Sequence, residues 1–202
     1  MSADGTLYGT TAYGGTAGEG TVFQLTPPTT PGGAWTETVL YSFVPGSGKG
    51  SLPFGNLALG KQGALFGTAF GGGPARACNT SRAAGEVFEL APPTMAGGTW
   101  TAASLHAFGS TGDGCQPYSG VVMGRSGVLY GTTLWGGANN SGTVFWLTPP
   151  ATAGHPWTET VYSLSAGAYP YGGLAIGPSG ALFGTTSGGG TGGGGTVFEL
   201  IP

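Results

Sequence analysis

The chain has 202 residues, a length that suits one domain or two small ones, and a formal net charge of −3. Glycine supplies 45 residues and proline 15, a share that signals disorder only when it has no period. An aromatic content of 11 % is too high for a solvating tail. The five Lys and Arg form no basic stripe that would displace counterions from phosphates, which argues against nucleic acid as a partner. No run approaches the ~18 apolar residues of a membrane span.

After Met1-Ser2-Ala3-Asp4 the sequence runs straight into repeats, with no secretory leader ahead of them. The first box, Leu7-Tyr8-Gly9-Thr10-Thr11 (box B), returns as Leu65-Phe66-Gly67-Thr68-Ala69, Leu129-Tyr130-Gly131-Thr132-Thr133 and Leu182-Phe183-Gly184-Thr185-Thr186. The starts lie 58, 64 and 53 residues apart. Box C, Gly20-Thr21-Val22-Phe23-Gln24-Leu25, recurs at residues 85–90, 142–147 and 195–200. Box D covers residues 35–43 and is echoed at 100–108 and 157–164. Box A opens on a proline and an aromatic ring: Pro53-Phe54, Pro117-Tyr118 and Pro170-Tyr171.

Each box reads as a strand. Box D sets Trp35, Glu37, Val39, Tyr41 and Phe43 against Thr36, Thr38, Leu40 and Ser42, a period of two rich in β-formers. Box C, dominated by Val, Phe and Leu, suits a strand buried on both faces. Boxes A and B are joined by Gly60-Lys61-Gln62-Gly63, Gly124-Arg125-Ser126-Gly127 and Gly177-Pro178-Ser179-Gly180, which read as tight hairpin turns. No helical stripe of useful length occurs. The expected fold is all-β: a β-propeller built from four-stranded antiparallel meanders in one repeat domain, with repeats at 1–52, 53–116, 117–169 and, incomplete, 170–202.

The pattern L-[YF]-G-T-T, a double glycine, then G-T-V-F-x-L-T-P resembles the GloVer (Gloeobacter/Verrucomicrobia) tandem repeat across essentially the whole chain. The resemblance implies a β-propeller-like bacterial protein, exported or at the cell surface, and no assigned activity. The second repeat departs from the pattern, with Ala69 and Glu86 in place of threonines.

The boxes count to 14 strands where four complete repeats need 16. One A and one D are absent, and open sheet edges invite association. Three arrangements satisfy the count: a compact four-bladed ring with incomplete terminal blades, copies that complete one another's sheets, or an excerpt of a longer propeller.

In a meander the A–B and C–D turns share one rim, and the B–C and D–A loops share the other. The first rim repeats with little change. The second varies, and variable loops on a rigid scaffold are where binding resides. It carries Glu19, Lys49, Arg76, Asn79, Arg82, Asp113, Gln116, Asn139 and Asn140, together with Tyr13, Phe70 and Trp135 at the ends of box B and Phe54, Tyr118 and Tyr171 at the starts of box A. Flat rings beside amides suit the apolar faces of sugar rings, so Tyr13, Phe54, Phe70, Tyr118, Trp135, Tyr171 and Asn139 form the expected glycan-binding set. The competing reading is that the rings plug the ends of the core. The fourth repeat has Ser187 where an aromatic is expected.

Cys78 and Cys115 fall on the same rim, and a disulfide between them closes a loop of about 37 residues, worth roughly 3–4 kcal/mol. The export implied by the resemblance favours the bond. Metal-ligand spacing is missing, and no cofactor motif occurs: the glycine runs lack the Lys-Ser/Thr of a phosphate loop. Glu37 and Glu159 recur at one strand position, and Glu89 and Glu199 at another, which reads as structural. Glu19 and Asp113 stand outside the repeated positions and are the candidate acid and base of a hydrolase or lyase. His106 and His155 have no partner visible in the sequence. Three functions follow for testing: a glycan-binding module, a protein assembled through unpaired terminal strands, and a carbohydrate-active enzyme.

Overall fold

The computed structural model describes residues 2, 4–46, 49–73, 83–152 and 154–202. Four antiparallel meanders follow one another along the chain. Sheet I holds β1 (Leu7–Thr11), β2 (Thr21–Thr26) and β3 (Thr36–Ser42); sheet II holds β4 (Ala58–Leu59), β5 (Leu65–Ala69), β6 (Glu86–Ala91) and β7 (Thr101–Ala107). The short β8 (Gly114–Cys115) pairs with β11 (Trp135–Gly136). Sheet III holds β9 (Val122–Met123), β10 (Leu129–Thr133), β12 (Thr143–Thr148) and β13 (Thr158–Ser163). Sheet IV holds β14 (Ala175–Ile176), β15 (Leu182–Thr186) and β16 (Thr196–Leu200). The fourteen expected strands are therefore all present, three, four, four and three to a sheet, and the β8–β11 ribbon is an addition.

The central glycine of box B has a steric cause. Gly9, Gly67, Gly131 and Gly184 each stand opposite the phenylalanine of box C. A β-carbon there would lie only 2.4–2.7 Å from the ring's far edge. The ring lies across the bare backbone, which is how a glycine in a strand contributes to packing instead of weakening it. The A–B turns are as tight as expected, with Gln62 and Ser126 in the left-handed region at φ 56° and 59°. Gly63 and Gly127 sit near Pro92 and Pro149 of the C–D hairpins, so those two connections do share a rim.

Consecutive sheets bury three apolar cores between them. Val22 and Phe43 meet Leu65, Phe88 and Leu90 between sheets I and II; Phe66, Val87 and Phe108 meet Leu129, Phe145 and Leu147 between II and III; Val144 and Leu164 meet Leu174 and Leu182 between III and IV.

The same backbone joint recurs at all three junctions. Leu52, Gln116 and Tyr169 each precede the proline of box A. Each donates its N–H to the sheet behind, at the carbonyls of Glu19, Ala84 and Ser141, and accepts at its own carbonyl from the sheet ahead, from the N–H groups of Phe70, Leu134 and Ser187. All three hold φ between 49° and 57°, a conformation that non-glycine residues adopt only when surrounding bonds impose it. Because the joint is made of backbone, its side chain is free to vary among Leu, Gln and Tyr. The joint is reinforced by the box B threonines: Thr10, Thr68 and Thr132 donate across the junction to the carbonyls of Gly55, Ser119 and Gly172.

Candidate functional site

The starts of box A converge. Gly55 and Gly120 approach so closely that a β-carbon on Gly55 would lie 1.9 Å from the Gly120 nitrogen. This brings Phe54 and Tyr118 into a stack with ring centres 4.8 Å apart and planes 10° apart. Phe70 meets both edge-on at 5.6 and 6.0 Å, and Tyr171 meets Tyr118 edge-on at 5.4 Å. Phe54, Tyr118 and Tyr171, with the exposed Asn56, line a depression of about 290 Å3. Tyr118 is 38 % and Tyr171 49 % exposed, while Phe70 is buried. Four of the seven expected ligand-binding residues thus form one cluster, in which Phe70 is the plug and the two tyrosines are the accessible rings.

The other three lie elsewhere. Tyr13 is 70 % exposed and is not part of that cluster. Trp135 is half-buried against the core of sheets II and III and packs edge-on to Tyr169 at 4.9 Å. Asn139 spends its amide on the Leu164 carbonyl at 2.8 Å, fastening its own loop. Arg76, Cys78, Asn79 and Arg82 lie outside the described residues. Cys115 is fully buried in β8, and the described residues include no free cysteine.

Of the two candidate catalytic acids, Asp113 is buried between sheets II and III, and Glu19 contributes its carbonyl to the joint between I and II. No hydrogen bond or ion pair links them among the described residues. Asp113 instead meets His106, which the sequence left without a partner. The His106 Nε2 lies 3.2 Å from Asp113 Oδ2 and 3.3 Å from Glu159 Oε1. Backbone N–H groups of Gly109 and Gly114 donate to the two Asp113 oxygens at 3.0 and 2.6 Å.

Burial opposes charging His106, but the Asp113 hydrogen bond and the two nearby carboxylates outweigh it and hold its pKa above the ordinary value. Burial also works against ionised Asp113; the His106 and Glu159 contacts and the Gly114 N–H prevail and hold it below the usual range. Burial pushes Glu159 up to about 7, with the Asp113 charge adding to it against the pull of His106. Glu159 was expected to share the structural role of Glu37, yet Glu37 is exposed on sheet I and Glu159 is enclosed by sheet II.

The placement of His106 depends on a β-bulge. Val87 pairs with His106 and Phe88 with Ser104, so Leu105 of β7 has no opposite residue in β6. A bulge re-aims the side chains beyond it. Sheet I has the same bulge at Leu40, and β13 pairs without one. The sequence carries a trace of this: box D spans 35–43 and 100–108 but only 157–164, one residue fewer.

A second buried acid was also missed. In sheets I, III and IV the last cross-strand pair of boxes B and C is Thr–Thr, bonded at 2.8, 2.7 and 2.8 Å between hydroxyls. In sheet II the pair is Ala69–Glu86, so the two departures from the repeat are one change. Glu86 is 2 % exposed, its Oε1 has no hydrogen-bond partner, and burial drives its pKa to about 7 against the pull of Ser104 and Lys49.

Among the described residues no helix is long and apolar enough to cross a membrane. Neither the curated proteins nor the solved structures include a match to this chain. The repeat boxes, the glycine–phenylalanine pairs they encode and a match over residues 1–202 place the chain in the Gloeobacter/Verrucomicrobia repeat family.

Proposed function

We propose that the four sheets are blades of an exported β-propeller, one repeat domain, that binds a glycan at the aromatic depression. The observation that carries this reading is the cluster itself: Tyr118 and Tyr171 present ring surface beside the Asn56 amide, at the place where successive repeats converge. An aromatic ring flanked by an amide serves the apolar face and the hydroxyls of a sugar together, and a concave, largely apolar site with a few placed polar groups is what small ligands bind. The sparse charge of the chain agrees with a neutral ligand. The propeller reading is supported by three equivalent inter-sheet joints and by the close approach of Gly55 to Gly120. Export is the expectation that the repeat resemblance carries, and in that setting a Cys78–Cys115 disulfide would persist. A glycan array of the purified chain tests the function. Tyr171→Ala is expected to lower binding at least about tenfold while Tyr13→Ala leaves it unchanged; retention of all glycans by Tyr171→Ala rejects the site, and an array with no binders rejects the ligand class.

A second reading rests on the outer faces of sheets I and IV. They are the same faces that the inner sheets bury against each other, and here they remain uncovered: Leu7 is 37 %, Phe183 39 % and Val197 79 % exposed. A second copy of the chain, stacked head to tail, covers both at once. Light scattering decides it, since a chain that stays monomeric at high concentration excludes it. No observation favours catalysis by Glu19 and Asp113.

A further inference from the structure

We infer that His106, Asp113 and Glu159 form a binding site for a divalent transition-metal ion, with Zn²⁺ as the reference ligand. One donor atom from each residue lies within 4.8 Å of the other two. Tetrahedral Zn²⁺ holds His nitrogen and carboxylate oxygen at about 2.0–2.2 Å, which puts neighbouring ligand atoms about 3.3–3.5 Å apart. The His106 Nε2 stands 3.2 and 3.3 Å from its two carboxylate neighbours, two separations of the size that ligands of one ion show, and the two carboxylate oxygens lie within 4.8 Å of each other. The imidazole makes the donor set borderline-soft and favours zinc or cobalt over calcium or magnesium, which take all-oxygen shells.

Two further observations point to a ligand. Glu159 Oε1 is buried and has no hydrogen-bond partner, although it faces the His106 ring. A buried carboxylate oxygen without a donor costs free energy that a cation would recover. Asp113 is oriented in advance: the Gly109 and Gly114 N–H groups fix both of its oxygens, the outer-sphere support that ligating carboxylates receive. The His106 side chain is 20 % and that of Glu159 17 % exposed, which leaves an approach from solvent. The ligands come from β7 of sheet II, from the loop leading to sheet III, and from β13 of sheet III, so the ion would fasten two sheets together.

The test uses the full chain after dialysis against a chelator. Isothermal titration with zinc chloride is expected to show one site per chain, and Tm is expected to rise with zinc concentration, since the ion binds only the folded state. His106→Gln is expected to weaken binding more than about a hundredfold, beyond the loss typical of outer-sphere changes, while His155→Gln leaves it intact. Co²⁺ supplies a second readout: the intense visible d–d absorption of a four-coordinate site, lost in the near-isosteric Glu159→Gln, which tests the site even if His106→Gln unfolds. Absence of saturable zinc uptake by the unaltered chain overturns the proposal. So does uptake that survives both His106→Gln and Glu159→Gln, or that disappears in His155→Gln.

Discussion

Four residues share one place in box B and four share one place in box C, and their exposures separate the sheet faces that meet a neighbouring sheet from the two end faces that do not. Leu65, Leu129 and Leu182 are fully buried, while Leu7 is 37 % exposed; Val22, Val87 and Val144 are fully buried, while Val197 is 79 % exposed. The leucine looks back toward the preceding sheet and the valine forward to the next. Each residue is buried only when that neighbour is present. A repeat of this kind has no core of its own; its core belongs to the junction, and stability is a sum over junctions. Equivalent residues must therefore differ in energetic weight according to their rank in the stack.

The largest expression of that difference is Leu129→Ala against Leu7→Ala. The first empties a closed junction and is expected to cost about 3–4 kcal/mol; the second trims a half-open face and is expected to cost less than about 1 kcal/mol. Urea denaturation measures both, and equal losses would mean that the sheets carry independent cores. Next comes Gly120→Ala. Its β-carbon would lie 1.9 Å from the Asn56 carbonyl, a backbone atom that has no rotamer to yield, so a loss of about 2–3 kcal/mol is expected. Gly194→Ala, at the far end with nothing within 4 Å, is expected to change stability by less than about 0.5 kcal/mol.

Glu86 sharpens the comparison within the inner pair, because sheet II carries it where sheet III has Thr143. Its surroundings hold two other titratable groups, Lys49 and the Tyr41 phenol. Burial raises its pKa from 4.5 to about 7, so the folded chain keeps a proton that the unfolded chain releases. Stability is then complete below about pH 4.5 and falls as pH rises toward 7. Glu86→Gln is expected to flatten that arm, removing a decline on the order of 2 kcal/mol. Denaturation midpoints at pH 4.5 and 7.5 measure it, and a decline unchanged in the variant would assign the arm to other groups.

Sequence periodicity was sufficient for the strands and their order, because each box encodes its own pairing: period two in box D, a glycine opposite a ring in boxes B and C, a turn between A and B. The convergence of Phe54, Tyr118 and Tyr171 was legible for the same reason, since equivalent positions in a repeat arrive at equivalent places. The His106 cluster was not. Its members come from two different repeats and the loop between them, and the bulge at Leu105 breaks the alternation on which strand reading relies. Glu86 was hidden differently: it reads as one of two separate departures from the repeat until Ala69 is set opposite it.

The smallest effect on the monomer carries the most information about the ends. Val197→Lys places a charge on a side chain that is 79 % exposed, so the folded chain is expected to lose less than about 0.5 kcal/mol. At an inner junction the same change would bury an unpaired ammonium, as at Val144, and would prevent packing. If copies stack head to tail, Val197 becomes an inner residue, and Val197→Lys should abolish association while leaving Tm almost unchanged. Sedimentation of the two proteins at matched concentrations separates the cases. Association that survives the lysine would place the contact elsewhere, because a junction built like the three inner ones has no room for that charge.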